Sequence, residues 1–294
     1  MKSLAVRFGL LLLIVAFGFG QFGGCSYISS CMPISSCTPI PKVVLIDDAH
    51  QNENDFDGYG FDAFYGKLVT TLQNMGYTVN RASTAGFNPS ISVYGIVILP
   101  APFQAYSSSE KQAIVDFVKA GGKLIMLGEY GSYGYTANAN LNAISTALGA
   151  GITFNNNTVY DNTNNYNDEN YWPLIQTFVS HPTTNGLTTL AYICGDSLSV
   201  QNPGTAIAYA SSSAYTSSSL SRDVVGNSAG IGVKAPDTKD KVTSIIVSAV
   251  AQIGSGKVVA IGDANIFGND VYENQTDFID LYNNKKFLQN IINW

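Results

Sequence analysis

Charge is what this chain has least of. Only 12% of its residues are Asp, Glu, Lys or Arg, about half the usual share, and the acids prevail to give a net charge of −6. The nearest thing to a basic cluster is the pair Lys285-Lys286. The chain therefore lacks the positive face that neutralises phosphates, which excludes nucleic acid as a partner. Histidine occurs twice, as His50 and His181, so few groups can titrate near neutral pH. The four cysteines include no Cys-x-x-Cys pair and have no histidine close by, a spacing that argues against a structural zinc site. The longest apolar run covers about a dozen residues, Phe8 to Phe19, short of the roughly 20 that a membrane-spanning helix needs.

Apolar residues are plentiful at 46%, enough to bury a full core. Asn, Ser, Thr, Gly and Tyr take the place of the missing charges, a composition common in surface and extracellular proteins. The amino-terminal stretch agrees with that setting. Lys2 and Arg7 precede the apolar run, and Phe22-Gly23-Gly24-Cys25 follows it, the layout of a secretory leader with small residues before the cut. A cysteine directly after Gly-Gly resembles a bacterial lipoprotein signal, which implies cleavage after residue 24 and lipid on Cys25. Phe22 departs from the usual Leu of that pattern, and plain secretion is the alternative. Ile28-Ser-Ser-Cys31-Met-Pro33 and Ile34-Ser-Ser-Cys37-Thr-Pro39 form a tandem repeat. Residues 25–41 read as a Ser/Pro/Cys tether that could span up to roughly 50 Å, with a Cys31–Cys37 disulfide open to it in an oxidising compartment. The expected location is outside the cytoplasm, membrane-anchored through the lipid on the cell surface or the periplasmic face.

From Lys42 onward, strand and helix signals alternate. Val43-Val-Leu-Ile46 is a continuous apolar run, as in a strand covered on both faces. Phe64 to Met75 has helical spacing and stops at Gly76. Strands are expected at Tyr77–Val79, Gly95–Leu99 and Lys123–Leu127. Between the last two, Ser107 and Glu110 form a capping box ahead of the stripe Ile114, Phe117 and Val118, closed by Gly121-Gly122. In the second half, Leu141–Leu148 reads as helix and Ile152–Phe154 as a short strand. Asn155–Asn170 reads as loop, Leu190–Val200 and Thr205–Tyr209 as strands. Val242–Ala251 and Lys257–Ile261 read as a hairpin, and Lys285–Trp294 as a closing amphipathic helix. The alternation predicts an α/β fold, a flavodoxin-like, doubly wound and mostly parallel sheet with a loop-rich, hairpin-containing second half, spanning residues 42–294.

Several short motifs in order suggest a family. Ile46-Asp-Asp-Ala-His50, Pro100-Ala-Pro102, Phe117-Val-x-x-Gly-Gly122, His181-Pro182, Gly256-Lys-Val-Val-Ala-Ile-Gly-Asp263 and Phe287-Leu-x-Asn-Ile-Ile-Asn-Trp294 together resemble the non-catalytic, exported or membrane-tethered branch of the class I glutamine amidotransferase-like superfamily. In the enzymes of that superfamily a nucleophilic cysteine follows the strand matching Lys123–Leu127, and a histidine late in the sheet activates it. Here those places read Gly128-Glu129-Tyr130-Gly131 and Gly262-Asp263. The resemblance thus implies a domain without glutamine hydrolysis, and no catalytic residue is assigned.

What the strand ends do carry is acid. Asp47, Asp48 and His50 lie just past the first strand, Glu53, Asp55 and Asp57 follow, and Glu129 and Asp263 end later strands on the same edge. Ligands of doubly wound sheets bind outside the carboxyl ends of the strands. This cluster is a candidate pocket, and Asp47, Asp48 and Asp263 are candidate ligands for Ca²⁺, the hard cation that such oxygens suit; otherwise no cofactor is expected. The opposing reading has the carboxylates capping and tying down local backbone. His50 has carboxylates beside it that could orient it as a general base. Tyr171 and Trp172, in a stretch rich in Asn, Asp and Tyr, are the candidates for contact with a sugar or peptide. The expected role is binding of a glycan, peptide or protein partner. The alternatives are a hydrolase using His50 with the acidic cluster and a self-associating structural component of the surface.

Overall fold

The computed structural model describes residues 41–52, 60–82, 89–131, 133–217, 244–270 and 276–294. The leader, Cys25, Cys31, Cys37, most of the tether, and Glu53, Asp55 and Asp57 lie outside the described residues. Among the described residues no helix is long and apolar enough to cross a membrane.

In chain order the elements are β1 (Val43–Asp47), α1 (Phe61–Asn74), β2 (Thr78–Ala82), β3 (Ile96–Pro100), α2 (Ser108–Lys119), β4 (Lys123–Leu127), α3 (Tyr135–Leu148), β5 (Ile152–Phe154), β6 (Thr158–Tyr160), β7 (Asn165–Tyr166), β8 (Glu169–Ile175), β9 (Thr177–Phe178), β10 (Leu190–Ala191), β11 (Leu198–Val200), β12 (Thr205–Tyr209), β13 (Tyr215–Ser217), β14 (Ile246–Ile253), β15 (Gly256–Ile261) and α4 (Asn284–Asn293). The main sheet runs β2-β1-β3-β4-β15-β14-β11-β5, with β12 on β14 and β9 on β12. The pairs β1–β2, β1–β3, β3–β4 and β4–β15 are parallel. From β15 outward the sheet turns antiparallel, through the β14–β15 hairpin and then β11 and β5. The fold is thus α/β, with a central, mostly parallel sheet and antiparallel hairpins in the second half.

Side-chain alternation along the strands divides the core in two. Val44, Ile46, Ile96, Ile98, Ile125, Val259 and Ile261 face Phe64, Leu68 and Leu72 of α1 and Phe287, Leu288, Ile291 and Ile292 of α4. Leu45, Val97, Leu99, Leu124, Met126, Val258 and Ala260 face Ile114, Phe117 and Val118 of α2 and Leu141, Ile144 and Leu148 of α3. Each such side chain contributes roughly 1.5–3 kcal/mol when fully buried, which is why these strands read as unbroken apolar runs. The capping box of α2 is present, Ser107 accepting from the Glu110 N–H and the Glu110 carboxylate accepting from the Ser107 N–H. Helix α3 stops at Gly149, whose φ of 66° is the left-handed conformation that glycine adopts without strain. His181 caps the turn at Pro182, a structural role.

Two expectations change. The Asn-rich segment expected as loop contains β6, β7 and the start of β8, because Val159 and Tyr160 bury in the core while the amides of Asn155, Asn157, Asn164 and Asn165 find hydrogen-bond partners within the fold. The run Leu190–Val200 is two short strands, β10 and β11, separated by a turn that includes Gly195-Asp196 and is buried almost throughout.

Candidate functional site

Parallel register aligns the ends of β1, β3, β4 and β15, so Asp47, Glu129 and Asp263 share the carboxyl edge of the sheet, as the sequence predicts. All three are fully buried. The groups they meet are different, and they form separate networks rather than one crown.

The first network fastens the end of β1 to the start of α2. Asp47 Oδ1 accepts the Ala49 N–H at 3.0 Å, both Asp47 oxygens lie 3.0 Å from His50 Nδ1, and the Tyr106 hydroxyl donates to Oδ2 at 2.6 Å. On the far side of the imidazole, Nε2 is 3.3 Å from Oε1 of Glu110, whose Oε2 accepts the Ser107 N–H at 2.7 Å. The Tyr106 ring lies 4.0 Å from that of His50. Burial alone would lower the His50 pKa, but the hydrogen bond and charge of Asp47, with Glu110 opposite, outweigh it and raise the imidazole above its ordinary value. Burial, with the charge of Asp47, pushes the Tyr106 phenol far up and keeps it a donor. At 4% exposure and with Asp47 on Nδ1 and Glu110 on Nε2, His50 links the two carboxylates across the β1–α2 junction.

Asp48 turns elsewhere, pairing with Arg81 of β2, whose guanidinium lies 4.7 Å from the Phe61 ring centre. Asn52 was not foreseen. It is fully buried and donates from Nδ2 to the Pro100 carbonyl at 2.6 Å, pinning the chain beyond β1 to the end of β3.

The second network surrounds Tyr192. Asp263 accepts three backbone N–H groups, from Ile193 at 2.6 Å, Asn265 at 2.8 Å and Ile266 at 3.0 Å. Glu129 accepts the Tyr130 N–H at 2.8 Å. Asn138 of α3 bridges, accepting the Glu129 N–H at 2.9 Å and donating to the Glu129 carbonyl at 2.6 Å and to Asp196 Oδ2 at 3.2 Å. Asp196, fully buried, was missed in the sequence; its signal was the Gly195-Asp196 break inside an apparent strand. Burial, then the charges of Asp196, Asp263 and Glu129, raise the Tyr192 phenol well above its usual range. The expected Ca²⁺ ligands Asp47, Asp48 and Asp263 are thus engaged separately, and among the described residues no group of three or more His, Cys, Asp or Glu side chains is placed to hold a metal ion.

The rings form a third layer. Tyr130, Tyr160 and Tyr215 cluster, with Tyr133, Tyr171 and Cys194 packed against them. Tyr160 stacks on Tyr215 at 5.3 Å and Tyr130 on Tyr133 at 5.2 Å, and Phe103 meets Tyr133 edge-on at 5.4 Å. Successive residues of β8 point to opposite sides, so Trp172 packs away from that cluster. It stacks on Tyr166 at 5.9 Å and meets Tyr171 and Phe278 edge-on, both at 5.8 Å. Tyr282, 54% exposed, stands edge-on to Tyr166 at 6.1 Å. Tyr133, Tyr166, Tyr171 and Trp172 are half-buried; Tyr171 and Trp172, singled out in the sequence, touch edge-on but pack into clusters on opposite sides of β8. Asp161 anchors the base of the layer. Its carboxylate accepts the N–H groups of Thr163 at 2.9 Å and Asn164 at 3.0 Å, and the hydroxyls of Ser211 and Ser213. These bonds outweigh burial and hold its carboxyl below the ordinary range. A separate cavity of about 350 Å³, lined by Thr177, Tyr209, Ser211, Ser244 and Ile245 among others, involves none of the residues singled out from the sequence.

These features define a doubly wound α/β protein with a buried, acid-rich strand edge roofed by aromatic rings. The chain belongs to a family described as a domain of unknown function (DUF4350), whose model matches residues 65–292. This corrects the expected membership of the amidotransferase-like superfamily, for which the short ordered motifs were too unspecific. No curated protein matches the sequence. Among solved structures, the mmIFT52 N-terminal domain is similar at 15% identity and a TM-score of 0.63, over 86% of this chain and 96% of that one. The cytoplasmic protein STM1381 from Salmonella typhimurium LT2 is similar at 13% identity and a TM-score of 0.50, over 85% and 98%. A putative ThuA-like protein from Bacteroides uniformis gives 12% and 0.49, over 86% and 91%. At these identities the first two likenesses show the fold alone.

Proposed function

We propose that this is an exported, lipid-anchored surface protein whose α/β domain binds a glycan on the aromatic layer. The observation that carries the reading is the set of ring contacts from Phe103 through Tyr133 and Tyr130 to Tyr171 on one side of β8, taken up by Trp172, Tyr166 and Tyr282 on the other. The flat apolar faces of sugar rings pack on such side chains, and sugar hydroxyls bond to amides and carboxylates at the rim. The β7–β8 hairpin supplies that rim: Asn167 and Asp168 form its exposed turn, both with positive φ, and Glu169 and Asn170 follow. The leader-like start and Cys25 support the surface location.

A glycan array probed with the full chain tests the binding. Retained glycans, with affinity falling at least about tenfold in Tyr166→Ala and Tyr282→Ala, as for central aromatic contacts, are the expected outcome. An array with nothing retained, or variants that bind like the wild type, would reject the glycan and turn attention to a peptide or protein partner. Detergent-phase partitioning tests the anchor, which is rejected if Cys25→Ala partitions as the wild type does.

A further inference from the structure

Asp196 is the point where the segments beneath the rings meet. Its N–H donates to the Gly262 carbonyl at 2.7 Å, its carbonyl accepts the Tyr192 hydroxyl, and its Oδ2 accepts from Asn138 Nδ2 at 3.2 Å and the Asn156 N–H at 3.3 Å. The neighbouring bonds spread outward from this point. Val159 N–H donates to Gly195 O at 3.0 Å, Cys194 N–H to Tyr171 O at 3.1 Å and Gly131 N–H to Asn157 O at 2.9 Å, while Asn157 Oδ1 accepts the Ser197 N–H at 3.0 Å. The strands and turns bearing Tyr130, Tyr160 and Tyr171 are therefore all tied to the turn that holds Asp196.

The second oxygen is the informative one. Oδ1 is buried and has no hydrogen-bond partner among the described residues. A Cβ placed on Gly262 would lie 2.4 Å from it, so the backbone at the end of β15 closes over this oxygen. Asp263 from beyond β15 lies close enough to act on its charge, the neutral Asn138 from α3 donates to it, and Asn155 and Asn156 from the segment after β5 turn their N–H groups toward it; Asp196, Asp263 and Glu129 from beyond β4 together surround the Tyr192 phenol. A buried carboxylate oxygen that no donor reaches, beside a second carboxylate, is strongly disfavoured.

We propose that Asp196 carries a proton on Oδ1 in the folded protein and that loss of this proton at rising pH loosens the turns supporting the aromatic layer, making the layer a pH-gated surface. Burial, with the charge of Asp263 adding to it and the backbone N–H bonds opposing, moves the carboxyl well above its ordinary range, which agrees in direction. The folded state then binds more protons than the unfolded one, so stability falls as pH rises from the ordinary carboxylate range to the folded-state value. The gating consequence rests on the glycan reading, but the proton does not.

The test is thermal unfolding of the full chain between about pH 5 and 9, wild type against Asp196→Asn, whose amide stands in for the protonated acid. The expected result is a melting temperature that falls with pH in the wild type and falls clearly less in the variant. Equal slopes overturn the proposal; His50 titrates in both proteins and cancels. If the variant does not fold, hydrogen exchange of the wild type decides. Protection of the Asn156 amide, corrected for intrinsic base catalysis, should drop as pH rises, and constant protection overturns the proposal. Neither readout uses a ligand, so a failed glycan array leaves this result standing and a failed slope comparison leaves the array result standing.

Discussion

At the scale of single residues, the candidate site is made of acids that meet different partners. Asp47 and Asp48 are adjacent in sequence, yet one holds His50 and Tyr106 and the other holds Arg81. The imidazole of His50 is raised above its ordinary value of 6.5, so its contribution to stability is fully present below about pH 6.5 and is lost as pH rises through the folded-state value. His50→Gln keeps hydrogen-bonding capacity and removes the charge. Denaturant unfolding should show it less stable than the wild type by roughly 1–3 kcal/mol near pH 6, with the gap narrowing by pH 8. An unchanged gap would mean that the charge is not what stabilises this pair.

At the scale of elements, close backbone approach decides the β14–β15 hairpin and its seat on α2. A Cβ on Gly256 would lie 1.9 Å from the Val118 carbonyl oxygen and 2.6 Å from that of Gly122. Neither obstacle is a flexible side chain, so Gly256→Ala must move either the hairpin or the end of α2. We expect a loss of about 2 kcal/mol or more, in line with overpacking in a filled core, measured by urea unfolding. A neutral result would show that the α2–hairpin contact yields easily. The hydrophobic pattern announced both elements, and the spacing Gly254-Ser-Gly256 announced the turn. The identity of the residue that would collide is visible only once α2 is docked.

At the scale of the whole molecule, buried lysine sets a different pH dependence from the acids. Lys123 begins β4, is 4% exposed, and donates to the carbonyls of Ile291 at 2.8 Å and Ile292 at 2.6 Å at the end of α4. Its positive charge suits a helix carboxyl end, but burial, with Lys257 adding repulsion, lowers its pKa to about 8 from 10.5. Between those values the unfolded chain holds the proton and the folded one does not, so this group makes stability rise with pH. A wild-type curve of unfolding free energy should therefore lose part of its downward trend above about pH 8, and Lys123→Met should remove that change of slope. A curve with the same slope in both would place the charge outside the folding equilibrium.

The continuous runs Val43–Ile46, Gly95–Leu99 and Lys123–Leu127 by themselves determined a buried sheet, because only strands covered on both faces carry that much apolar surface. The helix between the last two was legible from its capping box, and the shared edge of Asp47, Glu129 and Asp263 from the strand ends. The sequence could not show that these acids would part into separate networks, since partners such as Tyr106 and Glu110 lie about 60 residues from Asp47. It also could not place Asp196, because a single polar residue in an apolar run reads the same whether it faces water or three other elements. Tyr171 and Trp172 were chosen for their chemistry, but their separation into the clusters of Tyr130 and of Tyr166 was decided by tertiary packing. Local propensity and periodicity fix what each segment becomes, whereas the pairing of distant polar groups depends on which segments the core brings together.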